Sequence, residues 1–133
     1  MKRVRRFGVS LEKDLLKELD NLVKKHKFPN RSQAIRYLIR KNLVEEAWQE
    51  NKKVAGCVVF IYDHHKRGLV NNYLDIQHKF NQLILSTQHI HLNHHTCLEI
   101  IALKGKAYQL KELSDKLISL KGMRHGKLVM TAT

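Results

Sequence analysis

Hydrophobic and polar residues alternate near the start of the chain. From residue 6 onward, every second position is apolar, at Phe7, Val9 and Leu11. In a strand, successive side chains point to opposite faces, so this period of two predicts a half-buried strand over residues 4–11. The outward face of that strand would consist of Arg6, Gly8 and Ser10.

The pattern then changes to a helical period in two consecutive segments. Apolar residues at positions 15, 16, 19, 22 and 23 predict an amphipathic helix of about twelve residues. Pro29 ends that helix, because a proline disfavours helical geometry in the residue before it. Asn30 and Gln33 fit a capping box that starts a second helix, which should end near residues 48–50.

The remainder of the chain alternates strands and helices. A polar hinge over residues 49–56 precedes apolar strands predicted at 54–62, 83–92 and 97–103, with a last strand after Gly122. Helices are predicted at 66–78 and 108–120. The order βαββαβ is that of the ferredoxin-like unit, an antiparallel sheet with two helices on one face. We therefore predict an α+β protein with domains at 1–50 and 51–133.

The first domain cannot form a stable core from one chain. A lone strand leaves both edges unpaired, and two helices bury little apolar surface. Two chains that pair their strands as an antiparallel ribbon over four helices would solve both problems. The outward face of such a ribbon is a surface that can enter the major groove of DNA.

The charge distribution agrees with a polyanionic partner. The net charge is +13, and the first 41 residues hold thirteen lysines and arginines against four acids. Neutralising phosphates releases counterions, so this basic third favours double-stranded DNA. Arg3, Arg5 and Arg6 enrich the N-terminal arm in groups suited to phosphate contacts rather than base reading.

Two other features of the sequence indicate where the protein is located in the cell and what its cysteines do. No apolar run reaches the roughly 18 residues of a membrane span, and no signal-peptide core is present, so we expect a cytoplasmic protein associated with the nucleoid. Two cysteines are too few for a disulfide framework. Cys57 lies in the apolar run "AGCVVFIY" and is expected in the core, whereas Cys97 follows a group of histidines.

That group, "HIHLNHHTC", predicts a metal site. His89 and His91 are two apart on one strand and project to the same face. If the turn runs from residue 92 to 96, His91 lies opposite Cys97, and Glu99 shares the face as an acceptor for an imidazole N–H. His94 and His95 would then be solvated turn residues.

Three ligands leave the site one short of four. His78 is the natural fourth ligand, but it should lie at the end of a helix and about 20 Å from His89 along the strand, at 3.3 Å per residue. A site that uses both residues would have to join two subunits. The uncovered face of the sheet then has a reason to pair with a second copy.

The first 48 residues resemble the ribbon-helix-helix family. The alternating strand, "DLLKELD" and "NRSQAIRYLI" stand where that family has them. The resemblance implies that the start of the second helix holds a DNA phosphate through Asn30, Arg31 and Ser32. Two positions depart from the family pattern: Gly8 offers no group for base reading, and Lys27 stands where a glycine often serves a left-handed turn.

The spacing His-x10-His-x-His-x5-Cys resembles that of the nickel-responsive transcriptional regulators. The resemblance implies an ACT-like second domain that forms the core of a homotetramer, a dimer of dimers. It also implies one square-planar Ni(II) per subunit, bound by His89, His91 and Cys97 of one subunit and by His78 of its neighbour. The loaded tetramer would bind a palindromic operator and repress nickel-uptake genes, with Lys66 and Arg67 contacting DNA beside it.

Several alternatives remain open from the residues alone. Three imidazoles with a thiolate also suit Cu(II) or, in a tetrahedral arrangement, Zn(II), so a repressor that responds to another divalent metal is the main rival. A plasmid-type antitoxin would continue into a disordered tail, which residues 54–130 are too apolar to form. A metal chaperone or storage protein is disfavoured by the basic strand. We expect no enzyme and no small-molecule substrate, because the site has no open position and no hydrolase motif appears.

Overall fold

The computed structural model describes residues 3–133, in two compact units. The first unit ends at Asn42, and the second runs from Leu43 to Thr133. A single helix, Arg31–Gln49, continues from one unit into the other. The domain boundary predicted after residue 50 lies at the end of this helix. That division into domains stays a prediction.

Two helices supply the regular secondary structure of the first unit. α1 spans Lys13–Lys25 and α2 spans Arg31–Gln49, as the periodicity predicted. Asn30 caps α2, because its Oδ1 accepts a hydrogen bond of 2.9 Å from the backbone N–H of Gln33. The Gln33 side chain does not complete the predicted box and accepts instead from the Arg36 guanidinium. Between the helices Lys27 adopts a left-handed conformation, with φ of 55°.

Residues 3–12 have no regular secondary structure, although a strand was predicted at 4–11. A strand exists only through hydrogen bonds to a partner strand, and the described single chain offers none at this place. Phe7 and Val9 are 72% and 59% exposed. Among residues 3–42, Ala34 alone is buried. The first unit therefore has almost no core of its own.

The second unit contains the predicted βαββαβ order. Its elements are β1 Lys53–Asp63, α3 Leu69–Lys79, a short 3-10 turn Asn81–Leu83, β2 Ile84–His91, β3 Thr96–Lys106, α4 Ala107–Ile118 and β4 Met123–Thr131. The strand order β2-β3-β1-β4, antiparallel throughout, is that of the ferredoxin-like unit. α3 begins three residues later than predicted, because Gly68 takes a left-handed φ of 79° and residues 66–68 form a turn.

The core of the second unit lies between the sheet and the helices α3 and α4. Alternate residues of β1 and β3, such as Phe60 and Ile101, pack with Tyr73 of α3 and Leu113 of α4. Cys57, expected in the core, is only partly buried. Within residues 3–133, no helix is long and apolar enough to cross a membrane.

The end of α2 is anchored in this second unit. Trp48 is 1% exposed, and its indole N–H donates a 2.9 Å hydrogen bond to the carbonyl of Thr131. Gly56 lets the indole and β4 pack closely, since a Cβ there would lie 3.3 Å from the indole ring of Trp48 and 2.5 Å from the carbonyl oxygen of Val129. The indole therefore joins the last turn of α2 to the end of β4.

Candidate metal centre

The register of β2 and β3 brings the predicted donors to one end of the sheet. His91 pairs with Cys97, and His89 pairs with Glu99, so the register expected from the turn length is confirmed. On the other side of β3, Cys97 pairs with Tyr62 of β1. Paired residues in adjacent strands point to the same face, here the face that α3 and α4 cover.

Three potential ligands converge at this end of the sheet. The Sγ of Cys97 lies 3.5 Å from Nδ1 of His91 and 3.3 Å from Nδ1 of His64. Ligand atoms of these three residues lie within 4.8 Å of one another, a separation that one metal ion can bridge. Two imidazoles and a thiolate are a donor set for a borderline cation such as Ni(II), Cu(II) or Zn(II), so the residues fit nickel.

The surroundings alter the protonation of these donors. Cys97 is fully buried, and burial, reinforced by the negative charge of Glu99, raises the pKa of its thiol. Burial, followed by the nearby His65 and His91, lowers the pKa of His64. His64 therefore stays a neutral donor, whereas Cys97 must lose a proton before it can bind a metal.

His89 belongs to a neighbouring hydrogen-bonded network. Its Nδ1 lies 3.1 Å from Oε2 of Glu99 and 3.0 Å from the hydroxyl of Tyr62. Tyr62 in turn lies 3.2 Å from Glu99 and 2.9 Å from the hydroxyl of Tyr73. With Glu99 as a carboxylate, it accepts from both the Nδ1–H of His89 and the hydroxyl of Tyr62, while Tyr73 donates to Tyr62. This arrangement leaves Nε2 of His89 with a free lone pair.

The four predicted ligands are thus found in three places. His91 and Cys97 share the cluster described above, and the ring of His89 lies 4.8 Å from that of His91, centroid to centroid. His78 is exposed in the last turn of α3 and lies in neither of the donor groupings among residues 3–133. Within the single chain, the second imidazole beside Cys97 is that of His64.

Sequence reasoning did not include His64 and Tyr62 among the site residues. Tyr62 follows from the strand register, because β1 ends with Asp63 opposite Thr96 and the preceding residue pairs with Cys97. The strand order β2-β3-β1 was implied by the predicted fold, so alignment of the end of β1 with the start of β3 would have found Tyr62. His64 lies in the turn after β1, and its approach to Cys97 depends on the path of that turn.

A second group of donors lies beside the first. Ligand atoms of Asp63, His65 and His95 lie within 4.8 Å of one another. The backbone N–H of His65 donates to Oδ1 of Asp63 and is the main reason that the pKa of this carboxyl lies below its ordinary value. His95 was expected to be only a solvated turn residue. His94 lies next to this group but not in it.

The predicted DNA contacts are exposed. Arg31, however, is already engaged within the chain: its Nε and Nη2 donate to the two carboxylate oxygens of Asp20 at 2.8 and 3.0 Å. This bidentate pair lowers the pKa of Asp20, mainly through the hydrogen bond. The other candidates lie on the surface of the described chain: Arg3, Arg5, Arg6, Gly8, Ser10, Asn30, Ser32, Lys66 and Arg67.

Known protein families match both units. A family model described as the NikR C terminal nickel binding domain matches residues 55–131, and one described as "Ribbon-helix-helix protein, copG family" matches residues 5–46. A solved structure of an uncharacterised protein from Thermotoga maritima has a TM-score of 0.54 at 19% identity, covering 59% of this chain and 98% of that chain. This last likeness shows the fold alone.

Curated relatives match the chain over its whole length. A "Putative nickel-responsive regulator" of Syntrophus aciditrophicus is 51% identical, covering 96% of this chain and 93% of the relative. Proteins with the same name from Desulfovibrio desulfuricans and Pyrococcus furiosus are 47% and 45% identical, with 100% and 96% of this chain and 96% and 94% of the relatives covered. The chain belongs to the nickel-responsive regulators, DNA-binding transcription factors with a nickel-binding C-terminal domain, and not to an enzyme family.

Proposed function

We propose that this regulator is a nickel-dependent repressor. In its Ni(II)-loaded form it binds a palindromic operator as a homotetramer, in the cytoplasm and on nucleoid DNA, and represses genes for nickel uptake. Other metal-related genes are further candidate targets. The observation that carries the proposal is the convergence of imidazoles on the buried Cys97 thiol, in a chain whose other unit is basic and lacks a core.

The proposed ligands are His89, His91 and Cys97 of one subunit and His78 of a neighbour, one nickel per subunit. His91 and Cys97 are already adjacent, and the Nδ1 of His89 is engaged, which leaves its Nε2 as the donor. Glu99 is proposed to orient His89, because a carboxylate that accepts the far N–H fixes the tautomer and ring position of a ligating histidine. His64 is the competing donor within the chain.

Exposure of His78 supports its donation to another subunit. The residue lies at the C-terminal end of α3, where the structure gives it no partner among the candidate ligands of its own chain. Nickel, when bound, would link the end of α3 in one subunit to the β2–β3 hairpin of another. A metal that needs ligands from two chains stabilises the assembly and not only the fold.

The first unit supports pairing of chains for DNA binding. An apolar groove lined by residues of the N-terminal segment and of both helices is left uncovered; its lining includes Phe7, Val9, Leu11, Leu15, Leu22 and Leu38. A second copy that supplies its own segment would cover this groove and pair the two strands as a ribbon. The ribbon would present Arg6, Gly8 and Ser10 to the major groove, with Arg3 and Arg5 on phosphates. The start of α2, from Asn30 to Ser32, would hold a further phosphate.

Coupling between the two units is proposed to be a shift in population. The link between subunits would favour the arrangement in which the turn after β1 presents Lys66 and Arg67 to DNA. These two cations are exposed, and they follow directly on Asp63, His64 and His65 of the metal region. Coupling energies of about 1–3 kcal/mol are usual for such regulation and correspond to roughly 5–150-fold in operator affinity.

A gel-shift series tests this function. The probe is the upstream region of a nickel transporter gene, and the protein is offered without metal and with nickel, copper or zinc at one fixed salt concentration. We expect nickel to tighten binding strongly in the wild type and in His125→Ala, an exposed histidine outside both donor groups, but not in His91→Ala. If copper or zinc tightened operator binding as nickel does, the result would favour a regulator that responds to another metal.

A different outcome would favour the metal-storage alternative. If the protein held nickel tightly and its affinity for the operator did not depend on metal, the proposed repressor function would be wrong. Analytical ultracentrifugation with nickel gives the subunit count, and a dimer in the loaded state would contradict the tetramer. A salt series then separates phosphate contacts from base contacts, because the slope of log affinity against log salt counts the phosphates that are neutralised.

A further inference from the structure

We propose that Asp63, His65 and His95 form a second metal site, which takes a borderline divalent ion such as Ni²⁺ or Zn²⁺ in exchange with solvent. The ligand atoms of the three residues lie within 4.8 Å of one another, and none of the three is among the ligands proposed for the thiolate centre. The site would add a second bound ion per chain.

The fold places these residues together through the ends of two strands. Asp63 is the last residue of β1 and pairs with Thr96, the first residue of β3. His95 precedes Thr96, and His65 follows Asp63 by two residues. The imidazole Nδ1 of His65 lies 3.3 Å from Oδ1 of Asp63, and the ring centroids of His65 and His95 are 5.4 Å apart.

Both turns hold their donors in place before any ion arrives. In the first turn, the carboxylate of Asp63 accepts the backbone N–H of His65 at 2.9 Å. In the second turn, Oδ1 of Asn93 accepts the backbone N–H groups of His95 and Thr96, both at 2.9 Å. A site with ordered loops loses less conformational entropy on binding, which strengthens otherwise modest ligation.

The donor set determines which ions fit. Two imidazole nitrogens and one carboxylate oxygen suit nickel, zinc and cobalt, and the carboxylate contributes a negative charge that two histidines alone lack. The side chain of His65 is 51% exposed and that of Asp63 is 19% exposed, so water can complete the coordination sphere. With no thiolate and open access to solvent, this site should bind more weakly and exchange faster than the centre at Cys97.

The second site shares one turn with the first cluster. His64 points to Cys97 and the adjacent His65 points to Asp63, with 3.9 Å between the two ring centroids. An ion at the second site would therefore tie the turn after β1 to the β2–β3 hairpin within one chain. The further consequence, that this fixes Lys66 and Arg67, rests on the proposed function; the site itself does not.

Nickel alone is the probe for the test, with the full chain. Ions bound per chain are counted by equilibrium dialysis, and occupation of the thiolate centre is followed by the sulfur-to-nickel charge-transfer absorption. In the wild type we expect this absorption to saturate first and about one further ion per chain to bind afterwards without changing it. His65→Ala and His95→Ala should keep the absorption and lose the later ion.

Three further variants make the outcome decisive. Asp63→Asn retains an oxygen acceptor for the N–H of His65 but removes the charge, so it should weaken the later ion at least tenfold. Cys97→Ser should lose the absorption and keep the later ion, and this separates failure of the thiolate centre from failure of the second site. His94→Ala, in the same hairpin, should behave like wild type.

Two results would overturn the second site. One is an unchanged ion count in His65→Ala and His95→Ala. The other is an equal loss in His94→Ala, which would assign the later ion to the histidine-rich surface in general. Broadening by nickel of the imidazole NMR signals of His65 and His95, with His125 unaffected, gives the same answer without counting ions.

Discussion

The hydroxyl of Tyr62 lies 3.0 Å from Nδ1 of His89 and 3.2 Å from the Glu99 carboxylate. Both tyrosines of this network, Tyr62 and Tyr73, have a pKa above the ordinary value, mainly because of burial, so they remain protonated donors at any physiological pH. The network connects α3 to the strand that carries two proposed nickel ligands. Its hydrogen bonds are therefore expected to contribute to metal affinity.

Tyr62→Phe tests that contribution. The variant retains the ring and loses the hydroxyl that holds Glu99 and His89, so we expect nickel affinity to fall about tenfold, the lower end of what such supporting groups contribute. Competition with a chelator of known affinity measures it. Tyr108→Phe, an exposed tyrosine, serves as the control. Equal affinity in Tyr62→Phe and wild type would show that Glu99 alone positions His89.

His78→Ala and His64→Ala distinguish the two possible fourth ligands. If His78 of a neighbouring subunit completes the site, His78→Ala should lose the charge-transfer absorption of the native centre and the metal-dependent tetramer, while His64→Ala keeps both. Absorption spectra and sedimentation of the two nickel-loaded variants give the comparison. The opposite pattern, with His64→Ala defective, would place the site within a single chain.

Nickel binding should weaken in acid. The pKa of the Cys97 thiol is raised, so at neutral pH the metal-free residue carries a proton that nickel must displace. Because nickel displaces one proton when it binds Cys97, its apparent affinity falls about tenfold for each unit by which the pH falls. Calorimetry in buffers of different ionisation enthalpy should find about one proton released per ion near neutrality. No proton release would mean that Cys97 is not a ligand.

Asp20→Asn should strengthen binding to DNA. The substitution removes the carboxylate that now engages Arg31 in a bidentate pair, and the freed guanidinium at the start of α2 can contact a phosphate. We expect tighter operator binding at low salt and a slope of log affinity against log salt steeper by up to about 0.9. In an Arg31→Ala background the same substitution should have no such effect. If it did, the gain would come only from the lost negative charge.

Lys27→Gly should stabilise the first unit. Lys27 has a φ of 55°, a conformation that is unfavourable for a side chain and free of strain for glycine. After subtracting the entropy that glycine loses on folding, we expect a gain of about 1 kcal/mol in the free energy of unfolding, read by urea denaturation. Asn51, at φ of 54°, is the matched control, since its side chain accepts the N–H of Tyr108 and a glycine would lose that bond.

The sequence predicted the second unit well because its signals are local. Apolar periodicity located each element of βαββαβ, and the five residues between His91 and Cys97, predicted as a turn, set the pairing of these two residues. His64 reaches Cys97 through the turn after β1, although the two residues are 33 positions apart in the sequence. The periodicity of apolar residues contains no signal for a contact between such distant segments.

For the first unit, local sequence patterns predicted less of the structure of the single chain. Alternation predicted a strand over residues 4–11, yet residues 3–12 are irregular in the single chain. Every ladder hydrogen bond of a two-stranded ribbon joins one strand to the other, so a sequence can carry the pattern of a strand that one chain cannot form. Arg31 is a second case: the family resemblance implied a phosphate contact there, but only the fold reveals Asp20 as its partner.

Trp48 is the only tryptophan of the chain, and it is buried against the end of β4 although it belongs to a helix that starts in the other unit. Its fluorescence is therefore an intrinsic optical probe that requires no label. A shift of its emission to longer wavelength would report loss of the indole bond to Thr131. Far-UV circular dichroism reports all four helices of the described chain together, so comparing it with the fluorescence in one titration shows whether the second unit unfolds in the same transition as the helices as a whole.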